Sequence, residues 1–221
     1  AEKLAHMMIK TANSMQKPLS AILTSMQQPL GNAIGNALEI KEAIEVLKGG
    51  GPKDLYDVTL ALATEMLLLS GKYADEHSAK HKLQEILQNG QAFEKCLEWV
   101  KWQGGDVRTL ENPELLPGYR FKFDYLAKKS GYIHSIKASS LGLASMKLGA
   151  GRERKDDVID LGAGIYLHAK VGDCIKEGDS IATLYTNENT LFSEAIAYLD
   201  YAYNISEEKP AIDPLIFKII R

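Results

Sequence analysis

The stretch Gln28–Ile44, QPLGNAIGNALEIKEAI, constrains this chain more than any other. It joins two parts. A glycine-punctuated turn, Pro29-Leu30-Gly31-Asn32-Ala33-Ile34-Gly35, runs into a helix that begins near Asn36. Ala37, Leu38, Ile40, Ala43, Ile44 and Leu47 repeat at a helical period, with Glu39, Lys41, Glu42, Glu45 and Lys48 opposite. Gly31 and Gly35 permit positive φ and close approach by another group. A loop of this kind presents carbonyl oxygens inward. Glu42 adds a carboxylate about two helical turns later. Carbonyls plus one carboxylate suit a hard cation better than zinc or copper.

Around this stretch the sequence alternates helix and strand. Residues 1–16 read as a helix that Lys17-Pro18 ends. Leu19–Met26 reads as a short buried strand, expected to be parallel because helices flank it. The helix from Asn36 runs to Lys48, and Gly49-Gly50-Gly51 caps it rather than binding phosphate, since the glycines follow a helix instead of opening one. Three more helices follow, over Lys53–Tyr73, Ser78–Gln88 and Gln91–Gln103. The Leu and Met stripe of the first (Leu55, Val58, Leu62, Met66, Leu69) reads as core. His77 and His81 are spaced i, i+4 but lie among Lys, Glu and Ser, which reads as a solvated helix face.

Asn112-Pro113 and Pro117-Gly118 mark a domain boundary, with expected domains at 1–117 and 118–221. Beyond it the period becomes two: Tyr119, Phe121, Phe123 and Tyr125 alternate with Arg120, Lys122 and Asp124, an edge strand. Further strands are expected at 131–136, 158–161, 165–170 and 181–185, a helix at 191–203 and a terminal strand at 215–220. Gly172-Asp173 and Gly178-Asp179 mark turns. The segment VGDCIKEGDSIATLY resembles half of a lipoyl or biotinyl carrier domain. Its next turn, Thr186-Asn187-Glu188-Asn189, lacks the lysine a carrier needs, and Ser145-Met146-Lys147-Leu148 precedes the turns, so carrier function is rejected. His134 and His168 read as satisfied structural histidines. The expected fold class is thus α/β (α+β): the helix-rich remainder of a mixed α/β domain, then a small β-rich, barrel-sandwich-like domain with a late helix.

Composition narrows the function classes. The chain has 221 residues, 45% hydrophobic and 25% charged, with net charge −3. Weak acidity with dispersed Lys and Arg excludes a nucleic-acid footprint. No apolar run approaches ~20 residues, so no membrane span is expected. Cys96 and Cys174 show no metal-ligand spacing and read as free thiols of a reducing, cytoplasmic compartment. The start at Ala1, already in a helical pattern, is expected of a piece of a longer protein.

The stretch Gln28–Ile44 resembles the corresponding segment of pyrimidine-nucleoside and thymidine phosphorylases. The resemblance continues through Gly51-Pro52-Lys53-Asp54-Leu55, Gly104-Gly105-Asp106, Leu148-Gly149-Ala150-Gly151-Arg152, Val171-Gly172-Asp173 and Gly178-Asp179, in family order along nearly the whole chain. It is a resemblance to the C-terminal half. The family's phosphate loop and its base-binding Arg and Lys would lie upstream of these residues, so no catalytic residue is assigned here, and this chain alone is expected to be inactive.

The resemblance implies an enzyme that cleaves thymidine, uridine or deoxyuridine with inorganic phosphate as co-substrate, giving free base and (deoxy)ribose 1-phosphate. It implies a homodimer that pairs through an N-terminal helical domain. It also implies a metal, potassium or a similar hard cation, held by the carbonyls of Leu30 and Ala33 and the carboxylate of Glu42. Spacing alone favours Glu42 as a solvating helix-face residue; the resemblance favours the ligand. The alternative of another class is a non-catalytic scaffold or interaction module. A phosphoribosyltransferase such as anthranilate phosphoribosyltransferase is disfavoured by the resemblance of the β-rich C-terminal domain to the nucleoside phosphorylases.

Overall fold

The computed structural model describes all residues, 1–221. In chain order its elements are α1 (Glu2–Ser14), β1 (Ala21–Thr24), β2 (Ala33–Ile34), α2 (Asn36–Leu47), α3 (Lys53–Leu69), α4 (Glu76–Gln88), α5 (Gln91–Trp102) and α6 (Arg108–Glu111). Then come β3 (Phe121–Leu126), β4 (Gly131–Ile136), α7 (Ala138–Ser145), β5 (Gly164–Leu167), β6 (Cys174–Ile175), β7 (Ser180–Thr186), α8 (Phe192–Ala202), β8 (Tyr203–Ser206) and β9 (Ile216–Ile220). This is a mixed α/β chain. No helix is long and apolar enough to cross a membrane.

The chain divides into two compact units. The first comprises Ala1–Ser25, Val46–Cys96 and Asp213–Arg221. Its sheet has only two strands, β1 and β9. They run antiparallel, with Ala21 opposite Ile220. The expectation of a parallel, buried β1 is corrected: its partner is the terminal strand, and all four of its residues are half-buried. Ala5 and Ile9 of α1 pack with Ile220 beside Leu19, Ala21 and Leu23.

In α3 and α4 the buried residues include Val58, Leu60, Ala79, Leu83 and Leu87. The α3 stripe differs from expectation, because Leu62 is 50% and Met66 70% exposed. One face of the helix is covered and the other is not. The charged residue buried on α3 is Glu65, 4% exposed as a whole. Its carboxylate accepts from Arg221 Nη2 at 2.5 Å and Nε at 3.0 Å, and from Ser20 Oγ at 2.6 Å. Buried carboxylates persist only when paired in this way. The Arg221 guanidinium holds the Glu65 carboxyl below the usual carboxylate range.

The second unit comprises Met26–Glu45 and Leu97–Ile212. It contains a four-stranded sheet in the order β2-β5-β7-β3 and a three-stranded sheet in the order β6-β4-β8, all pairs antiparallel. Their side chains meet those of α7 and α8 in one core, where Ile133, Leu141, Leu148, Ile165, Leu184 and Leu199 are fully buried. Burial of each such side chain contributes roughly 1.5–3 kcal/mol.

The alternating aromatics do form the edge strand β3, with Tyr125 buried and Phe121 and Phe123 at its outer end. Both Gly-Asp pairs turn the chain alike. Each glycine takes positive φ, and each Asp carboxylate accepts an N–H from three residues earlier: Lys170 for Asp173, Lys176 for Asp179. The strand expected at 158–161 is absent. Val158 is 91% exposed, and Asp160 instead accepts from the Gly162 N–H and the Asn187 side chain. After α7 the chain winds on through Met146–Ala150 and kinks at Gly149, whose φ is +103°.

Candidate functional site

The glycine-punctuated loop, β2, residues 36–45 of α2 and the end of β5 lie in the second unit. The local chemistry starts from backbone groups that must be satisfied. Ala33 faces Tyr166 and Ile34 faces Ile165 in the β2–β5 ladder, while the Leu167 N–H donates to Asn32 O at 2.8 Å. In this antiparallel register Ala33 is the non-hydrogen-bonded position, so its N–H and carbonyl turn away from β5. Glu42 supplies the N–H's partner: its Oε1 accepts from Asn32 N at 2.9 Å and from Ala33 N at 3.1 Å.

Glu42 is therefore not a solvated helix-face residue. It is 5% exposed and lies under the loop. Gly31 is required there on two counts. Its φ is +69°, and a Cβ on it would lie 2.1 Å from Glu42 Oε2. Gly35 allows an equally close approach: its Cβ would lie 2.4 Å from Ala163 O. Glu39 reaches back one turn to accept from the Gly35 N–H at 2.9 Å, satisfying a donor at the start of α2.

A residue that sequence reasoning missed completes the arrangement. Lys170, just past β5, donates from Nζ to the carbonyls of Pro29 at 2.6 Å and Gly31 at 2.5 Å. Next to it the Val171 N–H donates to Gln28 Oε1 at 2.9 Å. The loop's peptides thus point carbonyl oxygens at one positive charge and N–H groups at one negative charge. Only the resemblance of Val171-Gly172-Asp173 hinted at this region, and nothing in the spacing connects residue 170 to residues 29–31.

Of the three residues expected to hold a metal, Ala33 and Glu42 are joined by a hydrogen bond, and Leu30 lies between the two carbonyls that Lys170 takes. No group of three or more His, Cys, Asp or Glu side chains converges to hold a metal. A cation at this loop would rest mainly on backbone carbonyls. That donor chemistry fits a hard, weakly held ion, and the loop already turns carbonyls toward an ammonium group.

The remaining candidates are satisfied locally. Thr183 Oγ1 donates its one proton to Asp124 at 2.7 Å, so His168 Nε2, at 2.8 Å, must be the donor to that hydroxyl. Lys147 is held by Glu153 and Glu194, which raise its basicity, and its side chain is 18% exposed. Thr186 and Asn187, at the position of a carrier's lysine turn, bind Leu148 O and Asp160. Both cysteines are free thiols, and burial pushes the Cys96 thiol up.

Residues 1–93 match the model of a glycosyl transferase family a/b domain, and residues 132–206 match the pyrimidine nucleoside phosphorylase C-terminal domain. The chain is 44% identical over 220 residues to a pyrimidine-nucleoside phosphorylase of Staphylococcus epidermidis strain ATCC 12228, a match that covers 100% of this chain and 50% of the relative. Over its whole length the chain is similar to one half of a pyrimidine-nucleoside phosphorylase.

Two further relatives with that name are the proteins of Staphylococcus haemolyticus strain JCSC1435, 43% identical over 220 residues, and Staphylococcus aureus strain USA300, 42% identical over 221 residues. Each match again covers 100% of this chain and 50% of the relative. The chain spans about half the length of the curated relatives it matches.

Proposed function

We propose that this chain is the C-terminal part of a pyrimidine-nucleoside phosphorylase. The observation that carries the reading is the continuous match, from one end of the chain to the other, to proteins of that name. The proposed substrates are thymidine, uridine or deoxyuridine, with inorganic phosphate as co-substrate and (deoxy)ribose 1-phosphate and free base as products. The reaction needs phosphate held beneath the anomeric carbon and charge stabilised on the departing pyrimidine. Positioned cationic donors supply most of such catalysis. By the family resemblance those donors belong to the other half of the enzyme.

Within this half, the proposed role of the loop is to hold a potassium ion through the carbonyls of Leu30 and Ala33 and the Glu42 carboxylate, and so to brace the phosphate loop. Burial of Glu42 against that loop supports the reading. A homodimer and a cytoplasmic location follow from the same family assignment as proposals. A substrate panel tests the function. The protein expressed from the complete reading frame should release base from at least one of the three nucleosides only when phosphate is present. Equal release without phosphate, or none from any of them, refutes the assignment.

A further inference from the structure

Beyond the β2–β5 ladder, the hydrogen bonds joining the loop to the end of β5 include four that fix its peptides. Two are neutral backbone donations, Leu167 N to Asn32 O and Val171 N to Gln28 Oε1. The other two come from one ammonium group, Lys170 Nζ to Pro29 O and Gly31 O. Lys170 is itself fixed, because its N–H donates to Asp173 Oδ2 at 2.8 Å within the Gly172-Asp173 turn. In the same short loop, Glu42 takes the Asn32 and Ala33 N–H groups. The loop's peptides are therefore held by a fixed cation at their carbonyls and a fixed anion at their N–H groups. Charge-assisted bonds of this kind are roughly twice as strong as neutral ones, so these two side chains dominate the loop's conformation.

We propose that Lys170 is a positioning residue of this loop: by holding the carbonyls of Pro29 and Gly31 it orients the peptides between and beside them, and so sets how well the loop takes up an external monovalent cation. Leu30 sits between the two held carbonyls and is the exposed residue of the pair's span, at 41%. Ala33 follows directly after the peptides that Glu42 fixes. The inference deepens the proposed function and rests on it for its consequence in catalysis, but the clamp itself can be read without any activity.

The test uses K170M and K170R in the protein from the complete reading frame, with amide exchange followed at Asn32 and Ala33. In K170M these two amides should exchange at least about tenfold faster than in the native chain, while amides of the core residues Ile133, Leu141 and Leu199 keep their rates. K170R, which retains charge and donors, should restore much of the protection. Unchanged exchange at Asn32 and Ala33 in K170M overturns the proposal. Should K170M fail to fold, the native chain decides. Its Lys170 ammonium protons should exchange slowly with water and couple to the Pro29 and Gly31 carbonyl carbons; a freely exchanging ammonium overturns the proposal.

The catalytic consequence is read in the protein from the complete reading frame. K170M should raise the potassium concentration for half-maximal phosphorolysis about tenfold, more than it lowers the maximal rate, whereas general destabilisation would lower the rate at every concentration. If no phosphorolysis is seen in the native protein, the functional reading fails and the exchange data still judge the clamp. If phosphorolysis is intact and the exchange rates do not move, the clamp alone fails.

Discussion

Replacing Gly31 with Ala should damage this protein through Glu42, and the size of the effect follows from the loop geometry. The added Cβ meets two obstacles. At φ +69° an L residue is strained by about 1 kcal/mol. It would also lie 2.1 Å from Glu42 Oε2, well inside contact distance, so the carboxylate must withdraw. Withdrawal breaks its bonds to the Asn32 and Ala33 N–H groups. Bonds to a charged group contribute about 1.5–3 kcal/mol each and are not additive, so their joint loss costs about 2–4 kcal/mol. Gly31→Ala should therefore lose about 3–5 kcal/mol. Glu42→Ala, which also strands the two amides, should lose about 2–4 kcal/mol. In the double variant the collision is gone and only the backbone strain adds to the Glu42 loss, giving again about 3–5 kcal/mol. The two losses should thus overlap by about 2–4 kcal/mol. Urea titrations of the four chains, followed by circular dichroism, measure that coupling. Additivity within about 0.5 kcal/mol would refute the reasoning, since independent sites behave that way.

Three other outcomes follow from the structure. Glu42→Ala in the protein from the complete reading frame should weaken phosphate use and potassium dependence; unchanged phosphate affinity and ion response in steady-state kinetics would remove the cation role. The Glu65 carboxyl titrates lower in the folded chain than its usual value of 4.5, chiefly because Arg221 donates to it. Its stabilising contribution is therefore complete above about pH 4.5 and is lost as pH falls through the folded value, so the urea midpoint should fall in acid more steeply in the native chain than in Glu65→Gln. Leu148→Ala, at a fully buried position between the sheets and α8, should cost about 2–5 kcal/mol by the same titration at neutral pH; a loss under 1 kcal/mol would mean this core is not close-packed.

Legibility in the sequence tracked how local the determining physics was. The helix from Asn36 was plain because its period and its glycine start lie within one stretch, and the period-2 aromatics of β3 and the Gly-Asp turns are equally local. β1 was misread as parallel because its partner, β9, lies about two hundred positions away and a strand's direction depends on that partner. Leu62 and Met66 keep a helical stripe that the described elements do not cover, so periodicity alone overstated their burial. The segment 158–161 is apolar enough to read as a strand, but Asp160 turns its backbone to bind Asn187. At the candidate site, the residue types and the turn were visible, whereas the burial of Glu42 was not. Its place among charged residues on α2 hides the two unpaired amides of the loop that make burial tolerable. Lys170 was invisible for the same reason as β9: its contacts with Pro29 and Gly31 span 141 and 139 positions.

The most direct test of the account is a phosphorus NMR spectrum of inorganic phosphate with the protein from the complete reading frame, before and after a pyrimidine nucleoside is added. The account predicts that the inorganic phosphate signal falls as a pentose 1-phosphate signal rises, in step with released base. Base released with the phosphate signal unchanged would mean hydrolysis, and no base released would mean no such activity; either result contradicts the assignment.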